Sequence, residues 1–114
     1  MNFTWQGASG RWYDFEIVRA KRDWAEIGGV YMFVKPGDYP TMEAGGPVCL
    51  FLARTDSFAM SLGRHEMWTA AQHLGAAEIH LLAIADERAR VQVERDLLEA
   101  QMPILNRQQV RRAA

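Results

Sequence analysis

The chain has 114 residues, a hydrophobic share of 49% and a formal net charge of −1. This length predicts a single domain over residues 1–114 with a modest core. The near-neutral charge disfavours a protein that coats nucleic acid non-specifically, because counterion release requires many cationic side chains on one face. A local basic site remains compatible with it.

The cysteine content and the hydropathy pattern bear on the compartment. Cys49 is the single cysteine, so an internal disulfide is excluded and a reducing environment is favoured. No apolar run reaches the length that spans a bilayer, and the N-terminus lacks the charged-then-apolar pattern of a secretory signal. We therefore expect a cytoplasmic protein that makes no membrane contact.

Residues 1–28 are predicted to form an extension that carries one strand. Residues 1–10 hold turn formers at both ends of a short polar stretch. Apolar side chains then alternate with polar ones over residues 11–19, a pattern typical of a half-buried strand.

The core is predicted over residues 29–106, and it begins with two apolar segments. Residues 29–34, GVYMFV, are rich in β-branched and aromatic side chains and predict a strand. Residues 48–53 predict a second strand, antiparallel to the first across the glycine- and proline-rich residues 35–47. The near-continuous hydrophobicity of the second segment favours a central strand that is covered on both faces.

A helix and a third strand follow in the predicted core. Residues 55–57 contain hydroxyl and carboxylate side chains that can cap a helix running toward Leu74, with a bend at Gly63. Residues 77–83 predict the third core strand. Residues 107–114 are predicted to form a basic tail.

The last predicted helix, which Asp86 caps and Pro103 ends, carries an acidic side chain on its apolar side. Val91, Glu94 and Leu98 lie at positions i−3, i and i+4, so they share one side of the helix. A carboxylate there costs free energy unless it is paired, hydrogen-bonded or bound to a cation. Glu94 is therefore either presented to a site or placed at the edge of the stripe, where it reaches water. The helix alone favours the second interpretation.

The first predicted helix carries a polar and aromatic face. Its members follow the spacing i, i+3, i+4 and i+7 and are Ser61, Arg64, His65 and Trp68. His65 titrates near neutrality and can bind a phosphate or transfer a proton, or it is a solvated surface histidine. Trp68 fits core packing better than base stacking, since large aromatic side chains are mostly buried.

Residues 29–106 resemble the GIY-YIG nuclease domain. The matching positions are Gly29, Val30 and Tyr31 in the first motif, Phe51, Leu52 and Ala53 in the second, and Arg54, His65, Glu94, Pro103 and Asn106. No single triplet is specific, but the ordered set on a strand, strand, helix, strand, helix background is much more so. The resemblance implies an α/β (α+β) fold with a small antiparallel three-stranded sheet flanked by helices. Residues 1–28 would add an N-terminal strand to that sheet.

The resemblance further implies an endonuclease that cleaves DNA phosphodiester bonds with one divalent metal, Mg²⁺ or Mn²⁺, held by Glu94. Mg²⁺ keeps several waters and often takes only one or two carboxylates together with phosphate oxygens. Tyr31 would orient or deprotonate the attacking water, and Arg54 would be the neighbouring cation or hold a phosphate. His65 and Asn106 belong to the same implied catalytic set.

The chain departs from the family pattern at positions that carry chemistry. Phe51 replaces the tyrosine of the second motif, and Ala53 replaces its glycine. The arginine expected four residues before His65 is Ser61, and Arg64 is the nearest arginine that could stand in for it. Such a guanidinium can be worth about 10³-fold or more in phosphoryl transfer.

Two functions are therefore predicted as alternatives. One is a divergent metal-dependent endonuclease, which the presence of Glu94 and Asn106 favours. The other is a catalytically degenerate domain that binds nucleic acid or a protein partner. The lost arginine, the lost tyrosine and the slightly acidic charge favour this second function.

Overall fold

The structure is a computed structural model that describes residues 1–19, 23–38, 45–63 and 65–107. It has a mixed α/β fold. The elements in chain order are β1 (Asn2–Gln6), β2 (Trp12–Val18), β3 (Gly29–Lys35), β4 (Val48–Thr55), α1 (Phe58–Leu62), α2 (Met67–His73), β5 (Glu78–Ala83) and α3 (Glu87–Gln101). A helical turn over residues 104–107 follows α3.

The predicted three-stranded sheet with one added strand is wrong, because the sheet has five antiparallel strands in the order β1-β2-β5-β3-β4. Residues 1–28 contribute a hairpin and not one strand, with Phe3 opposite Phe15 and Trp5 opposite Tyr13. The turn formers of residues 7–10 occupy only its connection. β2 of the hairpin pairs with the edge of β5 that β3 does not occupy. Without the hairpin, the backbone groups at that edge would be unpaired, which is unfavourable.

β3 and β4 form the predicted antiparallel pair, in which Tyr31 lies opposite Ala53 and Val30 lies opposite Arg54. The prediction that β4 is central is wrong, because β4 lies at the edge of the sheet and β3 lies between β4 and β5. Its apolar run is nevertheless buried on both faces. The buried residues are Cys49, Leu50, Phe51 and Leu52.

Two hydrophobic clusters cover the two faces of the sheet. On the face that we call the α3 face, Leu97 is fully buried in a cluster with Trp5 and Met32. On the opposite face, the α1–α2 face, Tyr31 and Phe33 pack in the other cluster. Side chains alternate along a strand, so β3 supplies both clusters.

The single helix predicted toward Leu74 is replaced by two short helices, α1 and α2. The Ser57 hydroxyl caps α1 by accepting from the backbone N–H of Met60. α1 ends at Leu62, and Nδ1 of His65 accepts from the backbone N–H of Met67 at 3.1 Å where α2 begins. This bond satisfies a backbone N–H in the first turn of α2, which has no acceptor within the helix.

α3 is the predicted last helix, and it begins and ends where the sequence suggests. Asp86 Oδ2 accepts from the backbone N–H of Ala89 at 3.1 Å at the start. The helix ends at Gln101, and Met102 adopts a left-handed conformation (φ 45°) before the buried Pro103. Among the helices in the described part of the chain, none is long and apolar enough to cross a membrane.

The chain that follows α3 passes around the outer edge of β4. Leu97 of α3 lies in the cluster on the α3 face, whereas Leu105 lies in the cluster on the α1–α2 face. Directly after Leu105, the side chain of Asn106 bonds the backbone of Leu52 in β4. This path brings Asn106 to the edge of the sheet and not to a face.

The opposite side of α3 is fixed to the β1–β2 turn by Asp96. Its carboxylate accepts from the backbone N–H and the hydroxyl of Ser9 at 2.7 and 2.6 Å, and from the hydroxyl of Tyr13 at 2.7 Å. The Asp96 carbonyl accepts from the N–H of Ala8 at 3.1 Å. A Cβ atom at Gly7 would overlap this carboxylate, so glycine permits the close approach.

Candidate active site

The predicted site residues form two bonded pairs and one amide at the strand edge. Tyr31 Oη lies 2.7 Å from His65 Nε2, and Arg54 is paired with Glu94. Asn106 bonds the backbone of β4. Within the described residues, no hydrogen bond joins one pair to the other.

Arg64, the predicted substitute for the missing arginine, lies outside the described residues. The predicted helical face that it would share with Ser61 and His65 is not on one helix. Ser61 lies in α1, and His65 lies in the break between α1 and α2. Ser61 and His65 nevertheless come close together, because both bond Tyr31.

The hydrogen-bond partners of His65 determine which nitrogen carries its proton. Nδ1 accepts from the backbone N–H of Met67, so the neutral ring carries its proton on Nε2. Nε2–H therefore donates to the hydroxyl oxygen of Tyr31. The phenol is left with its own proton to donate to another acceptor.

Ser61 and Thr55 extend the polar contacts around this pair. Ser61 is a side-chain hydrogen-bond partner of the Tyr31 phenol. The hydroxyls of Ser61 and Thr55 lie 2.6 Å apart, and either of them can be the donor across that contact. The Thr55 hydroxyl also lies 2.9 Å from the carbonyl oxygen of Ser57. We call His65, Tyr31, Ser61 and Thr55 the hydroxyl chain.

The hydroxyl chain lies in surroundings that keep its titratable groups neutral. Burial raises the pKa of Tyr31 to about 12, the bond with Ser61 opposes that rise, and the charge of Glu94 adds to it. Burial also lowers the pKa of His65. At neutral pH, Tyr31 therefore keeps its proton, and a basic role for it requires a nearby cation.

Glu94 is paired with Arg54, which offsets the cost of a carboxylate on the apolar side of the helix. Arg54 Nη1 donates to Oε1 at 2.6 Å, and the backbone N–H of Arg54 donates to Oε2 at 2.9 Å. The Glu94 side chain is only 16% exposed, whereas that of Arg54 is 46% exposed. The carboxylate lies at the outer edge of β4, because it bonds a backbone amide there.

Asn106 has both of its polar groups engaged by one residue. Its Oδ1 accepts from the backbone N–H of Leu52 at 2.9 Å, and its Nδ2 donates to the Leu52 carbonyl at 2.7 Å. The side chain therefore takes the place of a neighbouring strand. Only one of the two hydrogens on Nδ2 is used in this way, so the second can donate to a phosphate while Asn106 stays bonded to β4.

The residues present fit a weakly held, hydrated cation and not a preformed metal cage. Across residues 1–19, 23–38, 45–63 and 65–107, no group of three or more His, Cys, Asp or Glu side chains could hold an ion. Glu94 supplies one carboxylate, which suits Mg²⁺ when water and phosphate complete its shell. Arg54 would have to give up the carboxylate first.

A second polar network, which the sequence interpretation did not identify, lies on the α3 face. Trp5 Nε1 donates to Nδ1 of His80 at 2.9 Å, and His80 Nε2 lies 3.1 Å from Glu78 Oε1. Arg19 Nε donates to the other Glu78 oxygen at 2.9 Å. The alternation Glu78, Ile79, His80 was the available signal, because it puts both polar residues on one face of β5. These bonds satisfy groups that would be costly to bury alone.

Comparisons with known proteins add no relative to this description. No family model matches the chain, and neither a curated protein nor a solved structure is similar to it. The fold and the site thus define a mixed α/β protein with a tyrosine–histidine pair and a carboxylate at the edge of its sheet. The resemblance to the GIY-YIG domain stays a prediction.

Proposed function

We propose that the protein is a divergent metal-dependent endonuclease that cleaves DNA phosphodiester bonds. The observation that supports this proposal best is the 2.7 Å contact between Tyr31 Oη and His65 Nε2. The predicted nuclease site requires both residues at one phosphate, and they come from elements 34 residues apart. Glu94 influences the same phenol through its charge.

In this proposal Glu94 holds the divalent ion, and Arg54 turns to the phosphate. The ion, when bound, would lower the pKa of a coordinated water and offset phosphate charge. Arg54 is half exposed, and a guanidinium released from its carboxylate can bind phosphate oxygens in a forked geometry. The ion would also offset the negative charge of Glu94, which is one cause of the raised pKa of Tyr31. Tyr31 would then lose its own proton to solvent more readily, and its phenolate could take a proton from the attacking water.

Nicking of supercoiled plasmid with Mg²⁺ or Mn²⁺ tests the proposal. We expect wild type to nick, and Glu94→Gln and His65→Ala to reduce the rate by about 10²-fold or more. Glu94→Gln is suitable because its amide oxygen can still accept from the backbone N–H of Arg54. His73→Ala is the matched control, because His73 is exposed at the end of α2. Equal nicking by all of these proteins would contradict the proposal.

A catalytically degenerate DNA-binding module is the second candidate, and one observation favours it. Both carboxylate oxygens of Glu94 and both polar groups of Asn106 are engaged by β4. Glu94 and Asn106 thus have a structural role at the edge of β4 that requires no metal. DNA binding without nicking, by a protein that circular dichroism shows to be folded, would favour this candidate over the nuclease.

A further inference from the structure

A cavity of about 920 Å³ opens on the α1–α2 face beside the hydroxyl chain. Its walls come from the chain after β2, from β3 and β5, and from both short helices. The lining residues that matter here are Asp23, Trp24, Phe33, His65, Trp68 and Gln72. Binding sites for small molecules commonly have volumes of about 300–1,000 Å³, so the cavity has the size of a site.

Aromatic rings form much of the wall of this cavity. The centroid of Phe33 lies 4.8 Å from that of His65 and 4.9 Å from that of Trp68, both in edge-on geometry. Trp24 and Trp68 are half-buried against the core cluster of the same face. The rings are thus held by packing, and a ligand would find them already positioned.

Asp23 and Gln72 line the same cavity, as do Arg19 and His65. The first two can recognise the edge of a planar ring. The carboxylate of Asp23 accepts hydrogen bonds from amino groups, and the amide of Gln72 both donates and accepts. Amino groups, carbonyls and ring nitrogens at the edge of a flat apolar ring are the features of a nucleobase. A lipid tail or an aliphatic side chain would leave these groups unmatched.

We propose that this cavity binds one unstacked nucleobase of a nucleic-acid substrate, with its ring against Trp24 and Trp68. The inference rests on the proposed nuclease function, because His65 both lines the cavity and bonds Tyr31. A base in the cavity places the adjoining phosphate beside His65. A base inside a duplex cannot enter such a site, so the substrate class is single-stranded DNA or duplex DNA with an unpaired base.

The test is binding of two fluorescent probes in the presence of a metal chelator, so that no cleavage occurs. One probe is a single-stranded DNA 10-mer, and the other is a 10-mer of abasic sites with the same number of phosphates. Stacking of a base on an aromatic side chain supports about 5- to 100-fold tighter binding of the first probe. Equal affinity for the two probes would overturn the proposal.

Two variants test whether the base of the first probe binds in the cavity. Trp68→Leu removes a stacking surface, and Ala59→Phe adds a ring at a partly buried lining position outside the core cluster. Each should lower the affinity for the base-containing probe to that for the abasic probe. Trp12→Leu is the matched control, because Trp12 is 64% exposed and does not line the cavity. If neither cavity variant changes the affinity, the base binds elsewhere and the proposal is wrong.

The same assays separate this inference from the proposed function. Base-dependent binding by a protein that nicks no plasmid would contradict the nuclease and support the cavity as a nucleobase site. Nicking by a protein that binds both probes equally would support the nuclease and overturn the inference.

Discussion

The hydroxyl of Ser61 is part of the hydroxyl chain. It lies 2.6 Å from the Thr55 hydroxyl, and it is a side-chain hydrogen-bond partner of Tyr31. A position where the family resemblance implies an arginine is thus part of a half-buried polar network. An arginine there would remove the contact with Thr55.

Ser61→Ala should lower the free energy of unfolding by about 0.5–1.5 kcal/mol, because it removes the part-buried hydrogen bond of 2.6 Å between the hydroxyls of Ser61 and Thr55. Chemical denaturation monitored by circular dichroism measures this change. Ser61→Thr retains the hydroxyl and should lose less. A stability equal to wild type in Ser61→Ala would mean that this bond does not form in solution.

Stability should depend on pH through the buried histidines. Burial lowers the pKa of His80 and of His65, so the folded state binds fewer protons than the unfolded state, whose histidines titrate at about 6.5. The stabilisation is therefore complete above that pH, and it is lost as the pH falls through the lowered native values.

Unfolding measured between pH 7.5 and 5.5 should show this loss, and His80→Gln should flatten the curve. His73→Gln, which alters an exposed residue, should leave the slope unchanged. A wild-type curve that is level over this range would contradict the assignment of a neutral His80 between Trp5 and Glu78.

At the scale of the elements, α3 is attached to both edges of the sheet. Asp96 bonds the β1–β2 turn at one edge, and Glu94 bonds β4 at the other. Leu97 is buried between them on the α3 face. The orientation of the helix is thus set by three adjacent contacts, two polar and one apolar.

Gly7→Ala should displace the Asp96 carboxylate and destabilise the protein by about 1–3 kcal/mol, because the added methyl group occupies its place. A thermal unfolding series with Gly7→Ala, Asp96→Ala and the double variant measures the coupling. The double variant should be less destabilised than the sum of the single variants, since both disrupt one contact. Simple additivity would mean that Gly7 and Asp96 act independently.

Asn106→Ala should also destabilise the fold by about 1–3 kcal/mol, because the backbone N–H and C=O of the buried Leu52 lose their partners. Hydrogen exchange at the Leu52 amide should become faster. Asn2→Ala is the control, because the Asn2 amide makes an exposed bond to Asp14. Unchanged exchange at Leu52 would refute the strand-like role of Asn106.

At the scale of the whole molecule, periodicity predicted the parts whose burial follows a regular repeat. β3, β5 and α3 appear where alternating or helical patterns place them. The strand over residues 11–19 was predicted and corresponds to β2. β1 was missed because it is short and flanked by turn formers, so the hairpin that the two strands form was not predicted. The position of β4 was also not predictable, because burial on both faces occurs in central strands and in a covered edge strand alike.

The candidate site was predictable as a set of residues but not as a set of bonds. The family resemblance named Tyr31 and His65, which the structure brings into contact. It could not indicate that Glu94 and Asn106 bond the backbone of β4, since hydrogen-bond partners depend on where the chain turns after α3. The contact of Thr55 with Ser61 was not predictable either, because it depends on a turn that residue spacing does not reveal.

The occupied outer edge of β4 has a consequence for self-assembly. Asn106 and Glu94 satisfy the amides of Leu52 and Arg54, which would otherwise face solvent in an extended apolar strand. Such strands are templates for pairing with another molecule. Alanine at both positions would uncover that template, so the double variant would acquire a route to ordered aggregation.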